Sequence, residues 1–247
     1  MLTKKQIKDI NRLKQKKYRN QEGLFIVEGI KSIKDFLKSN YKLYKLFSTV
    51  DLFSIKNKNF EIISEKELAQ ITQYKNPQVA LGIFYIPNQL FTRPHQFSLV
   101  LSDIRDPGNL GTLIRLCDWY GIKKIYCSME TVDCYNPKVV QASMGSLSRV
   151  EVFYVNLKKL LTTQDLPVYG ATMEGQSVYQ QDLPAKALLV IGNEANGIHE
   201  DLNNYIDHWV SIPRFKSSSK TESLNAAMAG GILISEFRRK LITENSN

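Results

Sequence analysis

The first 86 residues mix short apolar runs with helical spacings. Residues 23–27 read as a turn and a strand (Leu24, Phe25, Ile26, Val27), and Ile30, Ile33, Phe36 and Leu37 mark one face of a short helix. Residues 44–49, 60–63 and 79–86 have the composition of strands, with 65–71 helical between the last two. These elements predict a compact α/β unit. Residues 87–96 then have the composition of a linker, with Pro87-Asn88-Gln89 at one end and Pro94-His95-Gln96 at the other. A domain boundary is expected there, with a first domain over 1–90 and a second over 97–247.

Beyond the linker the rhythm is more regular. Strands are predicted at 97–104, 124–128, 150–154, 168–171, 188–191 and 209–212. Helical stretches starting near Asn109 and covering 138–144 and 157–162 separate several of them. Alternating strands and helices imply a parallel sheet covered on both faces. Ligands of such sheets sit outside the carboxyl ends of the strands, so the loops at that edge are the place to look for chemistry.

Composition narrows the class. Of 247 residues, 43% are hydrophobic and 23% charged, an ordinary globular balance. No apolar run approaches the roughly 20 residues of a membrane span. The Lys-rich start lacks the apolar core of a secretory signal. Cys117, Cys127 and Cys134 are odd in number and show no CxxC spacing, so a reduced cytoplasmic protein without a metal site is expected. A net charge of +9 favours a nucleic-acid partner. Its densest run is Lys4, Lys5, Lys8, Arg12, Lys14, Lys16, Lys17 and Arg19, opposed only by Asp9. Such a run is either a solvated helix or a phosphate-contacting arm; the imbalance favours the arm, with Lys14, Lys16, Lys17 and Arg19 as candidate nucleic-acid contacts.

Three polar loops carry the candidate chemistry. In the first, Asp106-Pro107-Gly108-Asn109 makes a tight turn into a helix, and Asn109 is suited to cap it. Arg115 follows six residues on, nearly two helical turns, either sharing a face with Asn109 or making a surface ion pair. The second, Gly192-Asn193-Glu194-Ala195-Asn196-Gly197, follows an apolar strand and lacks the Lys-Ser/Thr of a phosphate loop. Glu194 there either bonds neighbouring amides or faces a ligand. The third runs from Ile212-Pro213 to Ser223-Leu224-Asn225 and opens a helix rich in small residues, Ala226 to Gly231. That run lets a strand, a helix or a second subunit approach closely.

Taken together and in order, these loops resemble the three motifs of the SpoU (TrmH-like) branch of the SPOUT RNA methyltransferases. The segments are Asp106-Pro107-Gly108-Asn109-Leu110-Gly111 with Arg115, Leu189 to Gly197, and Ile212-Pro213 with Glu222-Ser223-Leu224-Asn225-Ala226. The likeness covers roughly residues 97–240; residues 20–86, with Phe25-Ile26-Val27-Glu28-Gly29, are more loosely similar to the accessory substrate-binding domain of that family. The resemblance implies an α/β methyltransferase domain with a C-terminal trefoil knot, preceded by a small α/β substrate-binding domain. It implies S-adenosylmethionine as methyl donor, contacted by Gly192, Asn193, Gly197, Ile212 and Leu224 largely through backbone groups. It also implies a homodimer with the site beside the subunit interface.

The implied reaction is 2′-O-methylation of RNA, with ribosomal RNA the favoured substrate. Transfer RNA and a catalytically silent RNA-binding role are the alternatives. The implied catalytic set is Arg115, Asn109, Glu194, Ser223 and Asn225. His95, His199 and His208, the usual kind of base, fall in no motif. The family assigns the base role to the arginine matching Arg115, but a guanidinium holds its proton to a pH of about 12.5 or higher, which favours phosphate clamping and hydroxyl orientation. The chain departs from the family pattern at Ala195, where glycine is expected, and in the longer stretch 214–220. Its Lys216 and Lys220 are further candidate RNA contacts.

Overall fold

The computed structural model describes residues 1–53, 55, 58–74, 78–214 and 223–244. It divides into two compact units, Met1–Gln89 with Asp133–Arg149, and Leu90–Val132 with Val150–Asn247.

The first unit begins with α1 (Lys4–Arg12) and α2 (Lys16–Glu22), followed by β1 (Leu24–Glu28), α3 (Ile30–Leu37), β2 (Leu43–Ser48), β3 (Phe60–Ile62), α4 (Glu65–Ile71) and β4 (Ala80–Tyr85). Capping boxes start α1 at Thr3/Gln6 and α4 at Ser64/Glu67, each satisfying two otherwise orphaned N–H groups. At Gly23 the left-handed backbone (φ 64°) stops α2 and turns the chain into β1. The strands pair in the order β1-β4-β2-β3. Alternate residues of β1 and β4 face opposite sides. On one side Leu24, Ile26, Leu81 and Ile83 pack with Ile10, Leu13, Leu68 and Ile71. On the other, the rings of Phe25, Phe36, Phe84, Tyr41 and Tyr135 meet at centroid distances of 4.6–6.5 Å.

Tyr135 comes from far along the chain. Residues 133–149, expected within the second domain, pack instead with the first unit. Their fastening is Asp133, whose carboxylate accepts from Nε and Nη2 of Arg19, while Nη1 of Arg19 donates to the carbonyls of Leu13 and Lys14. Arg149 adds a bridge to Asp35 at 3.2 Å.

In the second unit β5 (Ser98–Leu101), α5 (Pro107–Trp119) and β6 (Lys124–Cys127) precede α6 (Pro137–Ala142), the helix of the 133–149 excursion. The chain resumes with β7 (Glu151–Tyr154), α7 (Leu157–Thr162), β8 (Val168–Ser177), β9 (Leu188–Ile191), β10 (His208–Ser211) and α8 (Ala226–Glu244). All six strands are parallel, in the order β10-β8-β9-β5-β6-β7. Strands β5 and β9 are buried along their whole length, as their unbroken apolar runs require. β8 runs past its expected end at 171 because 171–175 loop out between the pairs Trp209↔Gly170 and Val210↔Gln176. Val100, Val190, Tyr126 and Phe153 pack under α7 on one face. α5 and α8 pack against each other, and a Cβ on Gly230 would lie 2.5 Å from Leu113 and 3.0 Å from Ile191. The small residues of α8 therefore admit α5. Connections from β5 and β9 leave the sheet at its centre, where the strand order reverses direction, the point at which sheets of this kind bind ligands.

Candidate functional site

The first loop begins where β5 ends, at Leu101, short of the expected 104. Asp103 takes a left-handed backbone (φ 60°), uncommon for a residue with a Cβ. Three hydrogen bonds hold it: its N–H donates to Ser128 Oγ (3.0 Å), its carbonyl accepts from Asn193 Nδ2 (2.9 Å), and its carboxylate accepts from Arg105 Nε (2.8 Å). That pairing pushes the Arg105 pKa further up.

Asp106, not Asn109, caps α5. Its Oδ1 accepts the N–H of Asn109 at 2.9 Å, and Pro107 fills the first helical position, where no N–H is needed. The cap expected at Asn109 is thus corrected by one turn, and its side chain is released for other contacts. Only 8% exposed, Asn109 donates through Nδ2 to Glu194 Oε1 and accepts through Oδ1 from Asn225 Nδ2 at 2.8 Å. The carboxylate can only accept, so it fixes which way the Asn109 amide points. Asn225 Oδ1 in turn accepts the N–H groups of Ala227 (3.0 Å) and Met228 (3.2 Å), capping α8. A buried amide therefore ties the first, second and third loops together.

The second loop is closed by its own backbone. Asn193 and Gly197 exchange N–H···O bonds of 2.9 and 2.8 Å, and Asn193 Oδ1 accepts from Ala195 N. A Cβ on Gly192 would fall 2.1 Å from the Gly197 carbonyl carbon, so only glycine fits. Glu194 bonds Asn109 across the gap rather than the neighbouring amides. Residues 195–197 remain exposed.

Other expected members are placed differently. Arg115 is exposed on α5, with neither a hydrogen bond nor an ion pair among the described residues. Six residues turn a helix by about 600°, leaving it roughly 120° around the axis from Asn109. Ser223 and Leu224 are exposed just before Asn225, and Ile212 is half-buried at the end of β10. Lys216 and Lys220, with Glu222, lie outside the described residues. Lys14, Lys16 and Lys17 are exposed, whereas Arg19 is 2% exposed and occupied by Asp133, which removes it from the candidate RNA contacts. Among the described residues no group of three or more His, Cys, Asp or Glu side chains is placed to hold a metal ion. Asp103, Asp106 and Ser128 were missed by sequence reasoning. Of these, Asp106 had a legible signal, an Asp directly before a Pro at the start of a helix.

Residues 96–235 match the model of the SpoU rRNA Methylase family, and residues 4–82 match the MRM3-like substrate binding domain. Over 241 residues the chain is 27% identical to the 23S rRNA (guanosine(2553)-2'-O)-methyltransferase RlmP of Bacillus subtilis, spanning 94% of this chain and 95% of that protein. Among solved structures, a TrmH-family protein from Porphyromonas gingivalis aligns with a TM-score of 0.89 at 35% identity, over 97% of this chain and 99% of that one. An AdoMet-bound rRNA methyltransferase from Sinorhizobium meliloti aligns with a TM-score of 0.87 at 29% identity, over 98% and 97% of the two chains.

Proposed function

The chain belongs to the SpoU rRNA methylase family, and on that premise we propose that it moves the methyl group of S-adenosylmethionine to a ribose 2′-hydroxyl of ribosomal RNA. It is an RNA methyltransferase on the parallel-sheet α/β fold of that family. One observation carries the specific reading: Asn109 joins Glu194 and Asn225, drawing three polar loops together at the carboxyl edge of β5 and β9.

The residues around these loops suit an adenosine carrying a sulfonium. Such a ligand needs backbone donors and acceptors with small apolar walls. The loop 192–197 offers exposed backbone with no room for a side chain at Gly192, and Leu224 is 46% exposed. Gly192, Asn193, Gly197, Ile212 and Leu224 would hold it. When bound, S-adenosylmethionine supplies a methyl group that is already electrophilic. What remains for the protein is mainly alignment, which can be worth roughly 7–11 kcal/mol. Arg115, exposed and unpaired among the described residues, is available to grip a phosphate beside the target ribose and orient its hydroxyl. Asn109, Glu194 and Asn225 fix the frame, and Ser223 supplies a hydroxyl at its edge.

In this reading residues 1–90 form the RNA-holding domain, with exposed Lys14, Lys16 and Lys17 contacting phosphate. Lys216 and Lys220 carry the same proposal for the third loop. Trp119, 83% exposed on α5, and Met228, 64% exposed on α8, support a second copy of the chain as partner, since large exposed apolar side chains mark interfaces. The three cysteines are buried and none is in a disulfide, which suits a cytoplasmic setting. A C-terminal trefoil knot, typical of the family, belongs to the same proposal.

The test is transfer of labelled methyl from S-adenosylmethionine to unmodified ribosomal RNA. Wild type should give alkali-resistant incorporation, and Arg115→Ala should lose it by about a hundredfold or more. Incorporation into transfer RNA alone would redirect the substrate assignment. No incorporation and no cofactor binding would leave the silent RNA-binding reading.

A further inference from the structure

At its start, β2 carries an irregularity. Leu43 pairs with Phe84 and Lys45 with Ile83, so Tyr44 is an extra residue with no partner opposite. Such a bulge re-aims a side chain. Here it brings Tyr44 to Tyr85, the last residue of β4, with ring centroids 5.5 Å apart and planes at 87°. The tyrosines are 46% and 44% exposed, and neither phenol hydroxyl has a hydrogen-bond partner among the described residues. The backbone under the pair is fixed: Tyr85 N–H donates to the Lys42 carbonyl (2.9 Å), and Ile86 N–H donates to the Gly23 carbonyl (2.8 Å).

Two perpendicular rings form a corner with one open aromatic wall and unpaired phenol groups beside it. The other aromatic residues of this unit show what the pair is not. Phe25, Phe36 and Phe84 are fully buried, so a core role is already filled. Two lysines flank the pair in sequence. Exposed Lys42 immediately precedes β2, and Lys45 lies one residue beyond Tyr44, held to Glu61 at 3.1 Å.

Exposed aromatic faces set among lysines are the chemistry that receives single-stranded nucleic acid, because every base has a π-face and every linkage a charge. We propose that the Tyr44–Tyr85 corner is a stacking site for an unpaired nucleobase of the RNA substrate, with Lys42 on the adjoining phosphate. The proposal rests on RNA being the substrate, but not on methyl transfer. It places a base-gripping element on the first unit, apart from the phosphate-contacting arm at the chain's start.

Filter binding of the full chain to unmodified ribosomal RNA and to a short unpaired oligonucleotide tests it directly. Replacing both residues, Tyr44→Ala with Tyr85→Ala, should weaken both complexes about tenfold or more. Phenylalanine at both positions should restore most of the affinity, and leucine at both should not. The salt slope should be unchanged by these variants, whereas Lys42→Ala should reduce it by about one. Affinity for a fully paired duplex should not depend on the tyrosines. Unchanged binding by the double alanine variant, rescue by leucine, or an equal loss on duplex would each overturn the proposal. Failure of methyl transfer by wild type would overturn the functional reading instead, and leave this result standing on its own.

Discussion

Two polar assemblies, one in each unit, make opposite use of buried hydrogen bonds. In the first unit Arg19 and Asp133 form a sealed ion pair, with the arginine 2% exposed and two backbone carbonyls completing its partners. In the second, Asn109 is nearly as buried but bonds two residues that are not, Glu194 and Asn225. The first arrangement has no face left for a ligand. The second is a buried amide whose outer partners reach solvent, so its geometry can be felt by whatever binds there. The lesson is that burial alone does not separate structural from functional polar groups; the exposure of their partners does.

Breaking the sealed pair should have the largest effect on stability. Asp133→Ala strands a buried guanidinium and is expected to cost about 3 kcal/mol, lowering Tm by roughly 6–12 °C. Replacing both members with apolar residues, Arg19→Met with Asp133→Leu, should recover most of that loss, because the desolvation of two charges disappears with them. Calorimetry of the three proteins checks the order. Breaking the open assembly should instead spare the fold and damage the reaction. Asn109→Ala is expected to lower kcat/KM by about a hundredfold, or 2.7 kcal/mol, with Tm changed far less than in Asp133→Ala. A large Tm loss with intact turnover would erase the distinction.

The smallest effect concerns a third buried polar group. Glu28, 8% exposed, accepts from Thr72 and from Gln73 N–H (2.8 Å), yet burial, the dominant influence, raises its pKa above the usual carboxylate range. A raised folded pKa means that the contribution of Glu28 to stability is complete below the usual range and fades as pH climbs through the folded value. Glu28→Gln should therefore gain on wild type in stability as pH rises from about 4.5 toward neutrality, by no more than about 1.4 kcal/mol per pH unit, with its Tm rising relative to wild type. Parallel Tm curves would show that Glu28 does not titrate there.

Much of the second unit was legible because its signals are local. The runs that became β5, β6 and β9 are apolar on both faces, and such runs in alternation with helices leave little choice but a parallel sheet. The loops stood out for the same reason, as abrupt polar stops. What could not be read depended on distant partners. Asn109 has the residue type of a cap, but Asp106, three residues earlier, already caps α5 by accepting the N–H of Asn109 itself. Arg19 looked like part of a basic arm because nothing near it in sequence announces Asp133. Arg115 is found by its spacing, and its separation from Asn109 is legible there too, since six residues at about 100° each leave the two roughly 120° apart.

The pairing of Tyr135 with Phe25, and of Asp133 with Arg19, also bears on how this chain can be cut and recombined. The first unit is written in two pieces of the gene, and a fragment ending at the linker would carry Arg19 without its counter-charge and the Phe25 ring without one of its walls. It is therefore not a cassette. An insertion, a circular permutation or a graft onto another catalytic body must carry the excursion after β6 with it, so the two units are expected to be inherited together.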